Sequence, residues 1–284
     1  MVFICPWFPR ERERGQVLLI VVLVMIVALT VGLSLISRSI TNLRTSTQEA
    51  ESQKALAAAE AGVEQALEKA DTDTTPFTGS FESGSVYIQY STDIEPIKGT
   101  EFLINGGNLI SQDDGGDVWL SDYSENESEI FANPKSGYLT IYWGEQGVNE
   151  CEAAALEMTL ITGPKNNPSI DRFTADPCDS GINRKSFNKF GDVEPGGSVQ
   201  GVNFVWSKRI PGSGTFTNGL ILRIVPIYYD AKIGVKASTE LPLQGSLISS
   251  EGEAGGTRRK INVFKGRPRI PAELLPYAIF SPSN

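Results

Sequence analysis

The sequence contains no histidine, and its three cysteines are Cys5, Cys151 and Cys178. Without histidine, the commonest general base and the commonest metal ligand are both absent. The cysteine spacing does not fit a zinc site. The sequence also has no G-x-S-x-G turn, no phosphate-binding loop and no S-x-x-K motif with partner residues. We therefore predict that the protein is not an enzyme and needs no cofactor.

Positive charge is also scarce, because 25 Lys and Arg residues face 34 Asp and Glu residues, which gives a net charge of -9. No basic tract offsets this balance, so nucleic acid is not expected as a partner. The 28 glycines and 16 prolines favour loops and short strands over a helical bundle.

One long uncharged run is present, from Val17 to Ile36, and most of its residues are Val, Leu or Ile. A helix of this length spans about 30 Å, the thickness of the hydrocarbon core of a bilayer. Arg10, Arg12 and Arg14 precede it, which favours an N-terminus in the cytoplasm. We predict a single transmembrane helix, with everything after Ile36 outside the cytoplasmic membrane.

A cleaved secretory signal is the first alternative for this run. Such a signal has an apolar core of about 7–15 residues followed by a small-x-small cleavage site. The present run is longer and ends in "SLISRS", which offers no such site. We therefore expect the apolar segment to be retained.

The helical pattern continues beyond the membrane segment. From Ser37 to Ala70 there is no proline and a single glycine, Gly62, and good helix formers dominate. We predict one continuous helix of about 50 residues that includes this segment. Apolar residues recur at helical spacing and are expected to form one stripe: Leu56, Ala59, Val63, Ala66, Leu67 and Ala70.

The basic leader, Gly15, the apolar run and the segment "ALAAAEAGVEQAL" together resemble a type IV prepilin. Within that class they are similar to PilX-type minor pilins and K-type minor pseudopilins. The resemblance implies a leader over residues 1–15 that prepilin peptidase removes between Gly15 and Gln16. It implies a helix over 16–70, an extracytoplasmic domain over 71–284, and other pilins as partners through the helix. The stretches at 241–264 and 275–281 resemble the closing strands of large PilX-like proteins.

Two residues depart from the pattern of ordinary pilins. The first mature position is Gln16 where an aromatic residue is usual, and the fifth is Ile20 where a glutamate is usual. That glutamate neutralises the amine of a neighbouring subunit in lipid, which benefits a subunit repeated many times. The resemblance therefore implies a minor, initiating or tip-located subunit.

The region after residue 80 contains short β-prone runs with period-two alternation, separated by turn residues. The fold class predicted is α+β, with an antiparallel sheet packed on the outer half of the helix. "YYDAKIGV" and "SSEGEAGGTRRKINV" are both interpreted as hairpins. The predicted strands lie within 85–91, 137–144, 155–163, 201–207, 219–229, 232–238, 245–250 and 258–264.

Cys151 and Cys178 both lie outside the cell in this topology, and Cys5 would leave with the leader. Because that compartment is oxidising, we predict a Cys151–Cys178 disulfide, and two free thiols are the alternative. Trp119, Trp143 and Trp206 are expected to be core residues of a sheet.

The loop "SQDDGGDVWLSD" concentrates four aspartates around two glycines. Oxygen-rich loops of this kind can hold calcium, but this spacing does not match an EF-hand, and acidic turns are common on acidic surfaces. No metal site is therefore predicted, and the loop remains only a weak calcium candidate. The aspartates are Asp113, Asp114, Asp117 and Asp122.

Two functions remain open. The first is a minor pilin or pseudopilin that is inserted in the cytoplasmic membrane, processed after Gly15 and moved into a cell-surface filament, where it acts in assembly, initiation, tip structure or adhesion. The second is a single-pass surface domain whose uncleaved helix is only an anchor. Pili and secretion pseudopili share the same helix, so the sequence does not separate them.

Overall fold

The computed structural model describes residues 14–269, except residues 71–72, 84–85, 125, 127–128 and 182–183. Residues 1–13 of the predicted leader, Cys5 and the predicted C-terminal strand at 275–281 lie outside the described residues. Gly15 and Gln16 fall in the first turn of a helix, but their side chains are also outside the description.

The described residues form one long helix, α1 (Arg14–Lys69), one short helix, α2 (Arg184–Asn188), and twelve strands. The long helix forms without a break because no proline interrupts it and good helix formers fill its second half. The strands are β1 (Phe77–Ser83), β2 (Val86–Leu103), β3 (Gly116–Trp119), β4 (Lys135–Gly137), β5 (Leu139–Trp143), β6 (Ala155–Thr162), β7 (Ser169–Ala175), β8 (Glu194–Val199), β9 (Val202–Ile210), β10 (Phe216–Ile227), β11 (Ile233–Ala254) and β12 (Thr257–Gly266).

The strands form two antiparallel sheets. The first sheet has the order β1-β2-β11-β5-β9-β8, with β12 also paired to β11. The second has the order β3-β10-β6-β7, with β4 also paired to β10. The fold is therefore α+β with an antiparallel β-rich domain, as the sequence predicts, but it has two sheets where one was expected.

Strand β11 runs through the whole β-rich domain. It pairs with β2 on one side, and on the other side it pairs first with β5 and then with β12. Between these two partners, the buried Gln244 side chain accepts from the Trp119 amide at 2.8 Å and donates to the Trp119 carbonyl at 2.9 Å. Gln244 thereby joins the edge of the second sheet to the first.

The apolar core lies between the two sheets. Strand β5 has the burial alternation expected from "LTIYW", and six successive residues of β6 are buried. Trp143 and Trp119 are buried and Trp206 is half-buried, so the tryptophans are core residues as predicted. The largest fully buried members of this core include Trp143, Phe102, Ile110, Leu139, Ile141, Leu156, Met158 and Leu160.

Two parts of the sequence interpretation are wrong. "YYDAKIGV" is not a hairpin, because β10 before it and β11 after it belong to different sheets. Alternation identifies two strands, but it does not say which sheet each one joins. The other error is that the predicted strands omit β8, which forms within "DVEPGGSVQG" at the sheet edge, where proline and glycine are tolerated. "SSEGEAGGTRRKINV" forms the predicted β11–β12 hairpin.

Candidate functional site

Helix α1 has two parts with different surroundings. From Leu18 to Ala50 every residue is exposed except Gly32, and this stretch is about 50 Å long. Its apolar portion is long and apolar enough to cross a membrane, by length and composition. A signal sequence near the N-terminus meets the same criteria. The helix is therefore a candidate either for a single membrane span or for a signal sequence.

Between the apolar portion and residue 51, three threonine hydroxyls bond to the backbone of the helix itself. The hydroxyls of Thr41, Thr45 and Thr47 each donate to the backbone carbonyl four residues earlier, at 2.9–3.0 Å. Within the apolar portion, Thr30 donates to the Val27 carbonyl at 2.8 Å. Hydroxyls bonded in this way are compatible with a lipid or a helix-packed environment.

The packed portion of α1 begins at Glu51 and lies against β2, β11 and β12. Its buried residues are almost all small, so the helix and the sheet approach each other closely. The buried residues are Ala55, Ala58, Ala59, Gly62, Val63 and Ala66, followed by Ala70 directly after the helix.

Two glycines make this close approach possible. A Cβ atom added at Gly252 of β11 would overlap the Ala55 carbonyl oxygen and would lie 2.6 Å from the Ala59 amide nitrogen. A Cβ atom added at Gly62 would overlap the side-chain oxygens of Ser250 and Thr92. Glycine inside a helix costs about 1 kcal/mol relative to alanine, and here the contact with the sheet accounts for it.

The predicted apolar stripe is wrong at two positions. Leu56 is 42% exposed and Leu67 is 37% exposed, whereas the alanines of the stripe are fully buried. The two leucines lie about 60–80° around the helix from Ala59 and so fall outside the contact. Helical spacing placed both leucines in the stripe, but they lie beside the close contact that Ala55 and Ala59 make with Gly252 of β11.

A buried hydroxyl pair fixes the centre of this contact. Thr92 of β2 and Ser250 of β11 are 1% and 0% exposed, and their hydroxyl oxygens are 3.0 Å apart. Each hydroxyl therefore has a partner in a region that water does not reach. Beside them, the Tyr90 hydroxyl donates to the Gln65 side chain at 3.0 Å.

The two ends of the packed portion are tied to the β11–β12 hairpin. At the C-terminus of the helix, Lys265 donates to the Leu67 carbonyl at 2.7 Å and lies where a cation stabilises the helix dipole. At the other end, Arg259 donates to the Ser52 hydroxyl at 2.7 Å and Thr257 donates to the Glu51 carboxylate at 3.3 Å. The hairpin therefore holds the helix along the whole contact.

Cys151 and Cys178 form a disulfide, with their Cα atoms 4.4 Å apart. The segment beside it is held by Arg184, which makes a bidentate ion pair with the buried Asp176 at 2.7 and 2.8 Å. The same guanidinium donates to the carbonyls of Cys151 and Ala153. The disulfide and the ion pair thus bind the same two chain segments together.

The four aspartates of the weak calcium candidate have separate partners. Asp117 pairs with Arg223 at 3.4 Å, and Asp122 accepts from Asn133 at 2.7 Å. Asp113 accepts from the Gln112 side chain, and Asp114 pairs with Arg269. Among the described residues, no group of three or more His, Cys, Asp or Glu side chains is arranged to hold a metal ion.

The pairing of Asp114 also shows in its acidity. Partial burial raises the pKa of this carboxyl. Hydrogen bonds from the Gly115 amide and from Arg269, together with the positive charge of Arg269, lower the pKa by more than burial raises it. The net result is a pKa below the ordinary value. The Asp114 carboxylate is stabilised as an anion by protein groups.

Comparison of the chain with protein-family models, with curated proteins and with solved structures finds no match. Function is therefore inferred from the geometry of α1 and of the domain that packs on it.

The importance of Gly252, Thr92 and Ser250 did not appear in the sequence interpretation. One signal was present, since Gly62 is the single glycine between Ser37 and Ala70. A lone glycine in an alanine-rich helix indicates a close contact, but nothing in the sequence names the strand that makes it.

Proposed function

We propose that this protein is a minor subunit, a pilin or pseudopilin, of a type IV pilus-like filament or secretion pseudopilus. In this proposal the protein is inserted in the cytoplasmic membrane with its β-rich domain outside. It is processed between Gly15 and Gln16, and it then enters the filament through α1.

The observation that carries the proposal is the division of α1. The helix is continuous from Arg14 to Lys69, yet only its last third touches the β-rich domain. From Leu18 to Ile36 the remaining length exposes apolar side chains on every side, which requires lipid or other helices as surroundings. A filament core of packed helices and a bilayer both supply that environment, so one helix can serve before and after assembly.

The exposed apolar face of α1 also contains small and hydroxyl residues such as Gly32 and Thr30, which allow close helix approach. Ile20 replaces a charge that would otherwise have to be neutralised within lipid. This supports a subunit present in few copies, and initiation, tip structure or adhesion are the roles proposed for it.

The alternative is a surface domain anchored by an uncleaved α1. The rigid contact between the last third of α1 and the domain fits this function as well, because it fixes the domain at a set height above the membrane. The two proposals differ at Gly15, since an anchor does not depend on that residue and a filament subunit needs its leader removed.

The test is the intact mass of the protein extracted from the membranes of its native host. We would compare the natural sequence with Gly15→Ala, Gly15→Leu and the matched control Gly32→Leu. Gly32 has no atom within 4 Å of an added Cβ, so the control introduces the same side chain into the same helix. The proposal expects loss of residues 1–15 in the natural protein and in Gly32→Leu, and a full-length mass in Gly15→Leu.

Full-length mass in all variants would overturn the pilin proposal and leave the anchored domain. A mass lacking the whole apolar run would identify a secretory signal and contradict both. For a processed protein, recovery of the natural form but not of Gly15→Leu in sheared surface filaments would establish incorporation.

A further inference from the structure

A cavity of about 450 Å³ opens at one end of the β-rich domain. It lies where β5 ends and β11 begins, since Trp143 pairs there with Ile233. The other end of β11, at Ala254, packs near Ala55 of the helix. In a protein held by α1, this cavity is therefore on the side that faces away from the membrane.

The wall of the cavity is largely apolar. Trp143 lines it and is fully buried, and its indole N–H donates to the Ala154 carbonyl at 3.0 Å. Three apolar side chains on the rim remain unusually open to solvent. Leu109 is 52% exposed, Tyr229 is 43% exposed and Val148 is 38% exposed.

One side of the cavity is fixed by the network around the disulfide. The Arg184 guanidinium lies 4.2 Å from the centre of the Tyr228 ring, and Asn188 donates to the Tyr228 hydroxyl at 2.9 Å. Arg184 is itself held by the buried Asp176. The shape of this wall is set before any ligand arrives, which lowers the entropy cost of binding.

The charges on the cavity are unbalanced. Its lining includes Glu145, Glu152 and Asp230, opposed by a single basic residue, Lys232. Asp230 is oriented by the Gln112 amide, which donates to it at 2.8 Å. A cavity with this balance on a protein of net charge -9 attracts cations and repels anions.

A second and larger concavity provides the contrast. It lies on the first sheet beside β1 and β12, and its lining is mainly polar. There Arg258 pairs with Glu251 at 3.5 Å and with Glu253 at 3.3 Å, and Gln89 donates to Glu253. Its two basic residues, Arg258 and Lys260, offset two of its three acidic residues, and its mainly polar lining offers no apolar wall.

We propose that the cavity beside Tyr229 binds an aliphatic cation, namely an ammonium group on an apolar stem. The stem packs against Tyr229, Leu109 and Val148, and the ammonium group is held by the carboxylates of the rim. Aromatic faces and carboxylates both favour a cation over a neutral group of the same shape. The inference does not depend on filament assembly, because a membrane-anchored domain would present the same cavity.

The same ligand chemistry has two sources, a free diamine and a lysine side chain of a peptide. The probes are therefore cadaverine, the acetylated and amidated tripeptide Leu-Lys-Leu, and the same tripeptide with norleucine in place of lysine. Norleucine keeps the apolar stem and removes the charge. Binding to the full-length protein in uncharged detergent is followed by calorimetry and by tryptophan fluorescence, since Trp143 lines the cavity.

We expect the lysine peptide to bind about tenfold more tightly than the norleucine peptide at low salt, with the preference shrinking as salt rises. Glu152→Gln should reduce the preference several-fold without changing norleucine binding. Tyr229→Ala should weaken both peptides, and its circular dichroism should match the parent. Glu251→Gln, in the second concavity, is the matched control and should change nothing.

Saturable binding of cadaverine with the same response to Glu152→Gln would assign the free diamine as a source, and binding of the lysine peptide alone would assign a protein. Equal binding of lysine and norleucine peptides, or no saturable binding by any probe, would overturn the proposal. So would a preference that Glu152→Gln leaves intact.

Discussion

The β-rich domain has a half near the helix and a half far from it, and the two are built on different principles. In the near half, α1 packs on β2, β11 and β12 through small helix residues that meet Gly252, a buried hydroxyl pair and the sheet isoleucines Ile88, Ile94 and Ile248. In the far half, two sheets enclose aromatic and large aliphatic side chains. The near half depends on how closely two backbones approach, and the far half depends on how much volume the side chains fill.

This difference predicts opposite sensitivities. The far half should be damaged most by removing atoms, because a cavity is left among residues that cannot collapse. The near half should be damaged most by adding atoms, because helix and sheet have no space between them. Three of the four tryptophans, Trp119, Trp143 and Trp206, lie in the far half, so their fluorescence reports on that half alone.

The largest effect is expected for Phe102→Ala in the far half. Phe102 is 2% exposed and lies in the main core, so truncation should lower the free energy of unfolding by about 3–5 kcal/mol. Chemical unfolding of the full-length protein in detergent, followed by tryptophan fluorescence, measures this. Phe187→Ala is the control, since Phe187 is 88% exposed, and it should change stability by less than about 0.5 kcal/mol. Equal effects of the two would contradict the assigned core.

A smaller loss, about 1–3 kcal/mol, is expected for Gly252→Ala in the near half. The added methyl group overlaps the Ala55 carbonyl, so the helix must move away from β11. Amide hydrogen exchange across residues 51–69 should accelerate, while the tryptophan transition moves less. Gly212→Ala is the matched control because nothing lies within 4 Å of its added Cβ. If Gly252→Ala behaves like Gly212→Ala, helix and strand are not in close contact.

Changing the buried hydroxyl pair is also expected to lower stability, and a double-mutant cycle tests this. Ser250→Ala alone should cost about 1–3 kcal/mol, because the Thr92 hydroxyl is left buried without its partner. The double variant Thr92→Val with Ser250→Ala should recover much of that loss. A fully additive cycle would show that the two hydroxyls do not interact.

The smallest effect concerns Glu157 of β6 in the far half, which is 8% exposed. Burial raises the pKa of its carboxyl above 4.5, although Arg172 and Arg223 draw it back. At a pH between the ordinary pKa of an unfolded chain and the raised pKa of the folded protein, the folded protein binds more protons than the unfolded chain. This group therefore makes stability fall as pH rises through that range. Glu157→Gln should flatten that fall and slightly raise the melting temperature at neutral pH.

Melting temperatures at several pH values from about 4 to 8 measure the effect of Glu157→Gln. The exposed Glu240→Gln is the control. A steeper fall in Glu157→Gln than in the parent would mean that Glu157 is held as a stabilising anion, which is the opposite of the prediction.

How much could be predicted from sequence differs between the same two halves. The long helix follows from an apolar run and the absence of proline, and β5 follows from its alternation. Strand β3 was hidden within the acidic loop around Asp117, because its turn formers outweigh its short apolar segment. The sheet that β11 joins after "YYDAKIGV" could not be predicted either, because local alternation carries no information about which sheet a strand joins.

The candidate contact could be predicted only in outline. Helical spacing identified Ala59, Val63, Ala66 and Ala70, all buried, but it also included Leu56 and Leu67, which are partly exposed. The distance between helix and sheet decides which side chains fit, and that distance is set by Gly252 on a strand almost 200 residues later. Neither the far cavity nor its charge balance follows from any local pattern, because its lining comes from several separate segments.

Strand β11 connects these two halves as a single element of 22 residues. It pairs with β2 from Gly234, opposite Leu103, to Ala254, opposite Ile88, with two bulges between them. At about 3.3 Å per residue of β2 this spans about 50 Å, from the cavity to the helix contact. A pull exerted on the far end while α1 is held would run along this strand and load its hydrogen bonds to β2 and β12 in shear. Many bonds must then break together, so the strand that sets the geometry of the protein would also be the element that carries tension through it.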